Sequence, residues 1–226
     1  MAVRVTDDDA RGVVARLRDA VVADVAHGGN GDATRAALLA IYEACTHWQT
    51  CVSNCGAIGG TAGAIEGMVA AMASQLGVMK VQRGGMLAVY ALACNHAINK
   101  ERIGDTPGAF DAMVAGMQAH AGDGNVQYDG MLVLFILARN SFGNQHRMRA
   151  TPQLLRLVAS TADGGGPWDD AEEAGEDIIE LAEGILAALG MTQTLARAAA
   201  AKVRCHCRYP YMYHSTPYDR SATSSH

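Results

Sequence analysis

Apolar positions fall at helical spacing along most of this chain, and the spacing recurs. Between Gly63 and Leu76, the residues Ile65, Met68, Val69 and Met72 stand at i, i+3, i+4 and i+7, which is one face of a helix. A second helix is predicted to start near Val81 and run through VQRGGMLAVYALACN, with Val81, Met86, Val89, Leu92 and Ala93 as its buried side. The more polar HAINKERIGDT follows, with Ile98 and Ile103 as its apolar anchors. Residues 63–107 are then echoed by residues 108–152 at an offset of 45 with no gap. Gly63 matches Gly108, Met68 matches Met113, and Val81-Gln82 matches Val126-Gln127; Gly85-Met86-Leu87 matches Gly130-Met131-Leu132. Asn95 and Asn99 recur as Asn140 and Asn144 near the end of the long helix, where asparagine can take left-handed backbone geometry or bond free carbonyls.

The phase extends in both directions. Thr106-Pro107 recurs as Thr151-Pro152, and each pair predicts a helix start with Thr as N-cap and Pro at the first helical position. Upstream, AALLAIYEAC (Ala36 to Cys45) matches GGMLAVYALA (Gly84 to Ala93) at an offset of 48, so a first unit precedes, opened by a helix from Val13 to Val25. The connectors GVMK and GDGN are short, which makes paired helices antiparallel neighbours. One such pair cannot bury both of its faces, whereas a stack of pairs can. The expectation is therefore all-α: a right-handed α-solenoid of about four units, near 10–55, 56–105, 106–150 and 151–190, in a domain spanning 1–203. Residues 204–226, rich in Tyr, Ser and Thr with two Pro, read as a disordered tail able to fold onto a partner or onto the chain's own groove.

Composition narrows the function classes. Only 12 of the 226 residues are aromatic while Ala, Gly and Met abound, which suits close, small-faced helix packing better than sheets. A formal charge of −5 argues against nonspecific nucleic-acid binding. No apolar run reaches the length of a membrane span, so no membrane partner is expected. The start, MAVRVTDDDARG, carries acids where a signal peptide needs a basic end, which points to the cytoplasm, with the nucleus also open. The six cysteines read as reduced thiols. The nine acids from Asp163 to Glu183 read as a solvated helix face, and Trp168 as a cover for the end of the core.

Two segments could carry chemistry. CTHWQTCVSNC places Cys45, His47, Cys51 and Cys55 within one short stretch, giving the alternative of a helical protein with a metal- or redox-linked Cys/His cluster. The spacing is not the paired C-x-x-C of a zinc knuckle, and Cys51 and Cys55 serve equally well as small buried hydrophobes. Near the end, Cys205, His206, Cys207 and His214 offer a second set of soft ligands. Phosphate-loop, H-E-x-x-H and G-x-S-x-G motifs are absent. GAIGGTAG (Gly56 to Gly63) reads as the connector between the first and second units, and nothing pairs isolated residues such as Asp111 and His120. No cofactor and no catalytic residue are expected.

GAIEGMV…VQRGGMLAVYALACN…NKERI, repeated as GAFDAMV…VQYDGMLVLFILARN…NQHRM, resembles the armadillo-repeat family over residues 35–158. The resemblance implies an armadillo/HEAT-like superhelix whose long third helices line a concave groove for a partner protein or extended peptide. In the family's peptide-binding branch the long helix carries a Trp and, four residues later, an Asn. Here Leu87 and Ala91 stand at those positions in one copy, and Leu132 and Ile136 in the next. The backbone clamp is missing, which speaks against a nuclear-signal receptor and for a more apolar groove. Stepping by three and four along that face gives Arg83, Leu87, Tyr90 and Cys94, then Tyr128, Leu132, Phe135 and Arg139, as candidate partner contacts. The expected role is a noncatalytic adaptor or scaffold, with homodimerisation through an end unit as a further use of the array.

Overall fold

The computed structural model describes residues 4–47, 49–94, 96–164 and 172–191, with only the backbone of 172–174. Trp168, Asn95 and the segment 204–226, including Cys205, His206, Cys207 and His214, lie outside the described residues. The described residues are all-helical and contain no strand. The helices are α1 (Asp7–Ala26), α2 (Asp32–Thr46), α3 (Cys51–Gly60), α4 (Ala64–Ser74), α5 (Met79–Cys94), α6 (Ala97–Asp105), α7 (Ala109–Ala119), α8 (Gly124–Ala138), α9 (Phe142–Arg149), α10 (Pro152–Ala162) and α11 (Glu172–Ala188).

Equivalent helices of the sequence copies pack on one another. Among the long helices α2 meets α5, α5 meets α8 and α8 meets α11. A second row runs α1, α4, α7, α10, and the short helices α3, α6, α9 form a third. The apolar face read from α4 is the buried one: Ile65, Met68, Val69 and Met72 all lie inside. On α5, Val81, Met86, Val89, Leu92 and Ala93 are fully buried. The equivalent α8 positions sit in the same continuous core. Two glycines permit close joints at equivalent places, since a Cβ on Gly85 would strike Met72 and one on Gly130 would strike Met117.

Buried amides fix the copies in register. Gln82 Nε2 donates to the carbonyls of Met72 (2.8 Å) and Gln75 (3.0 Å), and Gln127 Nε2 to those of Met117 (2.8 Å) and His120 (3.1 Å). Each closes the turn between a pair's two helices. Asn99 Nδ2 donates to Leu92 O (3.2 Å) and to Cys55 O (2.7 Å), and Asn144 Nδ2 to Leu137 O (3.0 Å) and Lys100 O (2.9 Å). Asn54 in α3 holds the corresponding place, donating to Ala44 O at 2.7 Å. Every short helix thus satisfies a carbonyl at the C-terminal end of the long helix before it, where the intrahelical ladder leaves carbonyls free. Asn140, at φ 57°, takes the left-handed conformation just past α8.

Several local expectations need correction. Thr106 does not open a helix: it ends α6, its hydroxyl donating to Arg102 O, and α7 starts from Gly108 at φ 76°. The Gly-rich start of GAIGGTAG is helical, since Gly56 to Gly60 complete α3, and only Thr61 to Gly63 connect. Helix α1 begins at Asp7, six residues earlier than the apolar pattern, because Thr6 and Asp9 form a reciprocal capping box. Ile98 is 61% exposed rather than an anchor, and Ile103, with the buried Asn99, secures α6.

Candidate functional site

Neighbouring helices leave one face of the long-helix row partly open. On α5, the residues of intermediate exposure after Lys80 are Arg83, Leu87, Tyr90 and Cys94, separated by fully covered positions. On α8, Tyr128, Leu132 and Arg139 are also of intermediate exposure, but Phe135 is only 9% exposed. Its ring lies against Gly184 of α11, so Phe135 belongs to the joint between α8 and α11 rather than to an open surface. Ile136 is covered equally, while Leu132 keeps some exposure at the edge of the core.

The same face continues onto α2, which the sequence reading did not include. The offset of 48 aligns Arg35, Leu39 and Tyr42 with Arg83, Leu87 and Tyr90, and all three are of intermediate exposure. That offset was the signal that could have found them. A line of leucines, Leu39, Leu87 and Leu132, therefore crosses three adjacent long helices, with Tyr42 and Tyr90 beside it. Packed helix axes are roughly 8–10 Å apart, so successive leucines of the line stand at about that interval.

Polar groups bracket the apolar line. Arg83 Nε donates to Asp129 Oδ2 at 3.0 Å, joining α5 to α8 through a carboxylate with no exposed side-chain surface. Tyr42 lies near enough to respond: burial, and then the Asp129 charge, raise its hydroxyl above the ordinary tyrosine range. At the other end of the long helices a cavity of about 320 Å³ opens among Cys94, His96, Lys100 and Asn140. Lys100 Nζ donates to Arg139 O at 3.0 Å, and burial holds this ammonium below the usual lysine range. Beside that cavity the short helices present Val52, Ile98 and Phe142 to solvent, Phe142 at 89% exposure.

The cysteine-rich stretch is placed differently. Cys45 in α2 and Cys55 in α3 are buried against each other, Cys51 is partly exposed at the start of α3, and His47 lies exposed in the turn. Among the described residues no three His, Cys, Asp or Glu side chains converge as metal ligands. Asp111 is exposed, and His120 Nε2 lies 3.0 Å from Leu76 O, spanning the α4 and α7 ends rather than facing an acid. No single helix among the described residues is long and apolar enough to cross a membrane. Comparison with family models, with curated proteins and with solved structures returns no match to this chain.

Proposed function

We propose that the chain is an armadillo-like α-solenoid that acts as a noncatalytic adaptor, binding a partner protein or peptide across its long-helix face. The observation that carries this reading is the in-register line of partly exposed Leu39, Leu87 and Leu132, flanked by Tyr42 and Tyr90. Apolar and aromatic side chains on a rigid, preformed surface are what a protein interface uses at its centre. The pairwise packing of equivalent helices supports the solenoid, since each unit then has the same neighbours and the open face grows by one helix per unit. Without a Trp and Asn at positions 87 and 91, or 132 and 136, a main-chain clamp has no donor. The favoured ligand therefore presents apolar side chains at the helix spacing. The cytoplasm is the proposed compartment.

A photo-crosslinking residue at Leu87 or Leu132 tests this against one at Asp111, which is exposed on α7 in a different row. A partner captured at 87 and 132 and displaced by Leu132→Glu, in protein that keeps its helical circular dichroism and melting temperature, is the expected result. Capture at 111 alone, or capture at 132 that Leu39→Glu and Leu87→Glu leave undiminished, would overturn it.

A further inference from the structure

Three thiols at the α2–α3 junction are left without a part in that surface. Cys55 Sγ donates to two carbonyls, Cys45 O at 3.7 Å and Ala91 O at 3.3 Å. Cys45 and Cys55 are 3% and 2% exposed, and Cys51 stands one turn before Cys55 at the partly open start of α3. One accessible sulfur therefore adjoins an enclosed pair contributed by two helices.

We propose that Cys45, Cys51 and Cys55 form a thiol–disulfide site that accepts oxidising equivalents from a small-molecule disulfide at Cys51 and stores them as a Cys45–Cys55 bridge. The Cys51 thiolate attacks the small disulfide, whose own S–S bond breaks; one small thiol leaves with the proton that Cys51 gave up. Cys55 then attacks the outer sulfur of that mixed disulfide, takes over the small thiol and returns Cys51 as a thiol. Cys45 attacks the Cys55 sulfur and expels the second small thiol with its own proton, which leaves the Cys45–Cys55 bridge. Two protein thiols have lost two protons and two electrons, and one disulfide has become two thiols. Cys55 suits the earlier attack, because a hydrogen bond with Cys45 lowers its pKa; the same hydrogen bond, and then burial, raise that of Cys45, and the adduct on Cys55 takes away the thiolate behind the first of these before Cys45 attacks.

The bridge has a structural consequence. Ala91 supplies one of the last four carbonyls of α5, which no intrahelical N–H can reach. A disulfide sulfur carries no hydrogen, so oxidation removes the donor that Cys55 gives to Ala91 and loosens the end of α5 that bears Tyr90 and Cys94. Only an effect on a partner would depend on the adaptor reading; the bridge itself does not.

The full-length reduced chain is equilibrated with mixtures of reduced and oxidised glutathione, alkylated without denaturant, and mapped by peptide mass. The expected result is a Cys45–Cys55 bridge with Cys51 alkylated, and with Cys94 carrying at most a glutathione adduct. Cys51→Ser should slow bridging by about tenfold without changing its final extent, and Cys55→Ser should stop the reaction at a Cys51 adduct. Amide exchange in residues 89–94 should quicken on oxidation. If wild-type protein at equilibrium holds glutathione on Cys51 while Cys45 and Cys55 remain free thiols, or if the bridge forms only in denaturant, the proposal fails. Either outcome is read independently of crosslinking at Leu87 or Leu132.

Discussion

The two gapless copies, α4–α6 with the turn to α7 and α7–α9 with the turn to α10, differ in an instructive way. Inside, they repeat: Gln82 and Gln127 close the same turn, Asn99 and Asn144 take carbonyls from the same two neighbours, and Gly85 and Gly130 admit the same methionine. Elsewhere along the long helices they diverge, with Arg83 against Tyr128, Tyr90 against the covered Phe135, and Cys94 against Arg139. One divergent position changes how helices join. Gly84 lets α5 rest on Leu38 of α2, its Cβ place lying 3.5 Å from the leucine Cβ, whereas Asp129 at the same register turns to Arg83. The α2–α5 joint is therefore close at Gly84, with its own ion pair, Lys80 to Asp32, at the exposed edge, whereas the α5–α8 joint covers its ion pair. The turn-closing glutamines, the bracketing asparagines and the small glycines repeat, while the variation falls both on partly exposed positions and, at Gly84 against Asp129, on a joint itself.

The largest effect is expected where the copies differ most. Asp129→Leu removes the covered carboxylate to which Arg83 Nε donates and should lower the unfolding free energy by about 3–5 kcal/mol, while Arg83→Leu combined with it should recover most of that loss. Denaturant titration of the single and double variants measures the difference. A double variant as unstable as Asp129→Leu alone would mean that Asp129 acts through its other neighbours.

A somewhat smaller loss should come from filling the glycines under the short-helix amides. A Cβ on Gly104 would share space with the Asn144 amide, and one on Gly59 with that of Asn99. Overpacking together with displaced hydrogen bonds should make each Gly→Ala change cost about 2–4 kcal/mol. Equal melting-temperature losses would show that the two brackets are equivalent in energy as well as in geometry.

The smallest and sharpest test separates the two amides themselves. Asn144 Oδ1 accepts from Arg147 Nη1 at 3.3 Å, whereas Asn99 Oδ1 is buried with no hydrogen-bond partner. Each Asn→Leu variant leaves one helix-terminal carbonyl, Leu92 O or Leu137 O, without its donor, which costs about 1–3 kcal/mol, and the Asn144 variant should lose roughly 0.5–1 kcal/mol more. Identical denaturation midpoints would erase that distinction.

Much of the helical content was legible because periodicity is a local property: the buried faces of α4 and α5 follow from spacing alone. Candidate contacts were legible only in part. Arg83, Leu87, Tyr90 and Cys94 emerge on one side because a helical face is set by its own turn, but Phe135 at the same register is sealed by Gly184, some fifty residues away in sequence. Ile98 reversed for a related reason: α6 is a helix whose second residue points outward, and only Ile103 meets the core. Thr106 misled because Thr-Pro serves equally well to end one helix as to begin another.

Local spacing made most helices, the offset of 45 and the apolar sides legible, since these depend on 3.6-residue geometry and on residues near in the chain. Tertiary structure alone decided which amide meets which carbonyl, that Asp129 answers Arg83, that Phe135 is covered, and that Cys55 reaches both Cys45 and Ala91. Those outcomes depend on how closely one helix approaches the next, a distance set by side chains from separate units together and by no one segment alone.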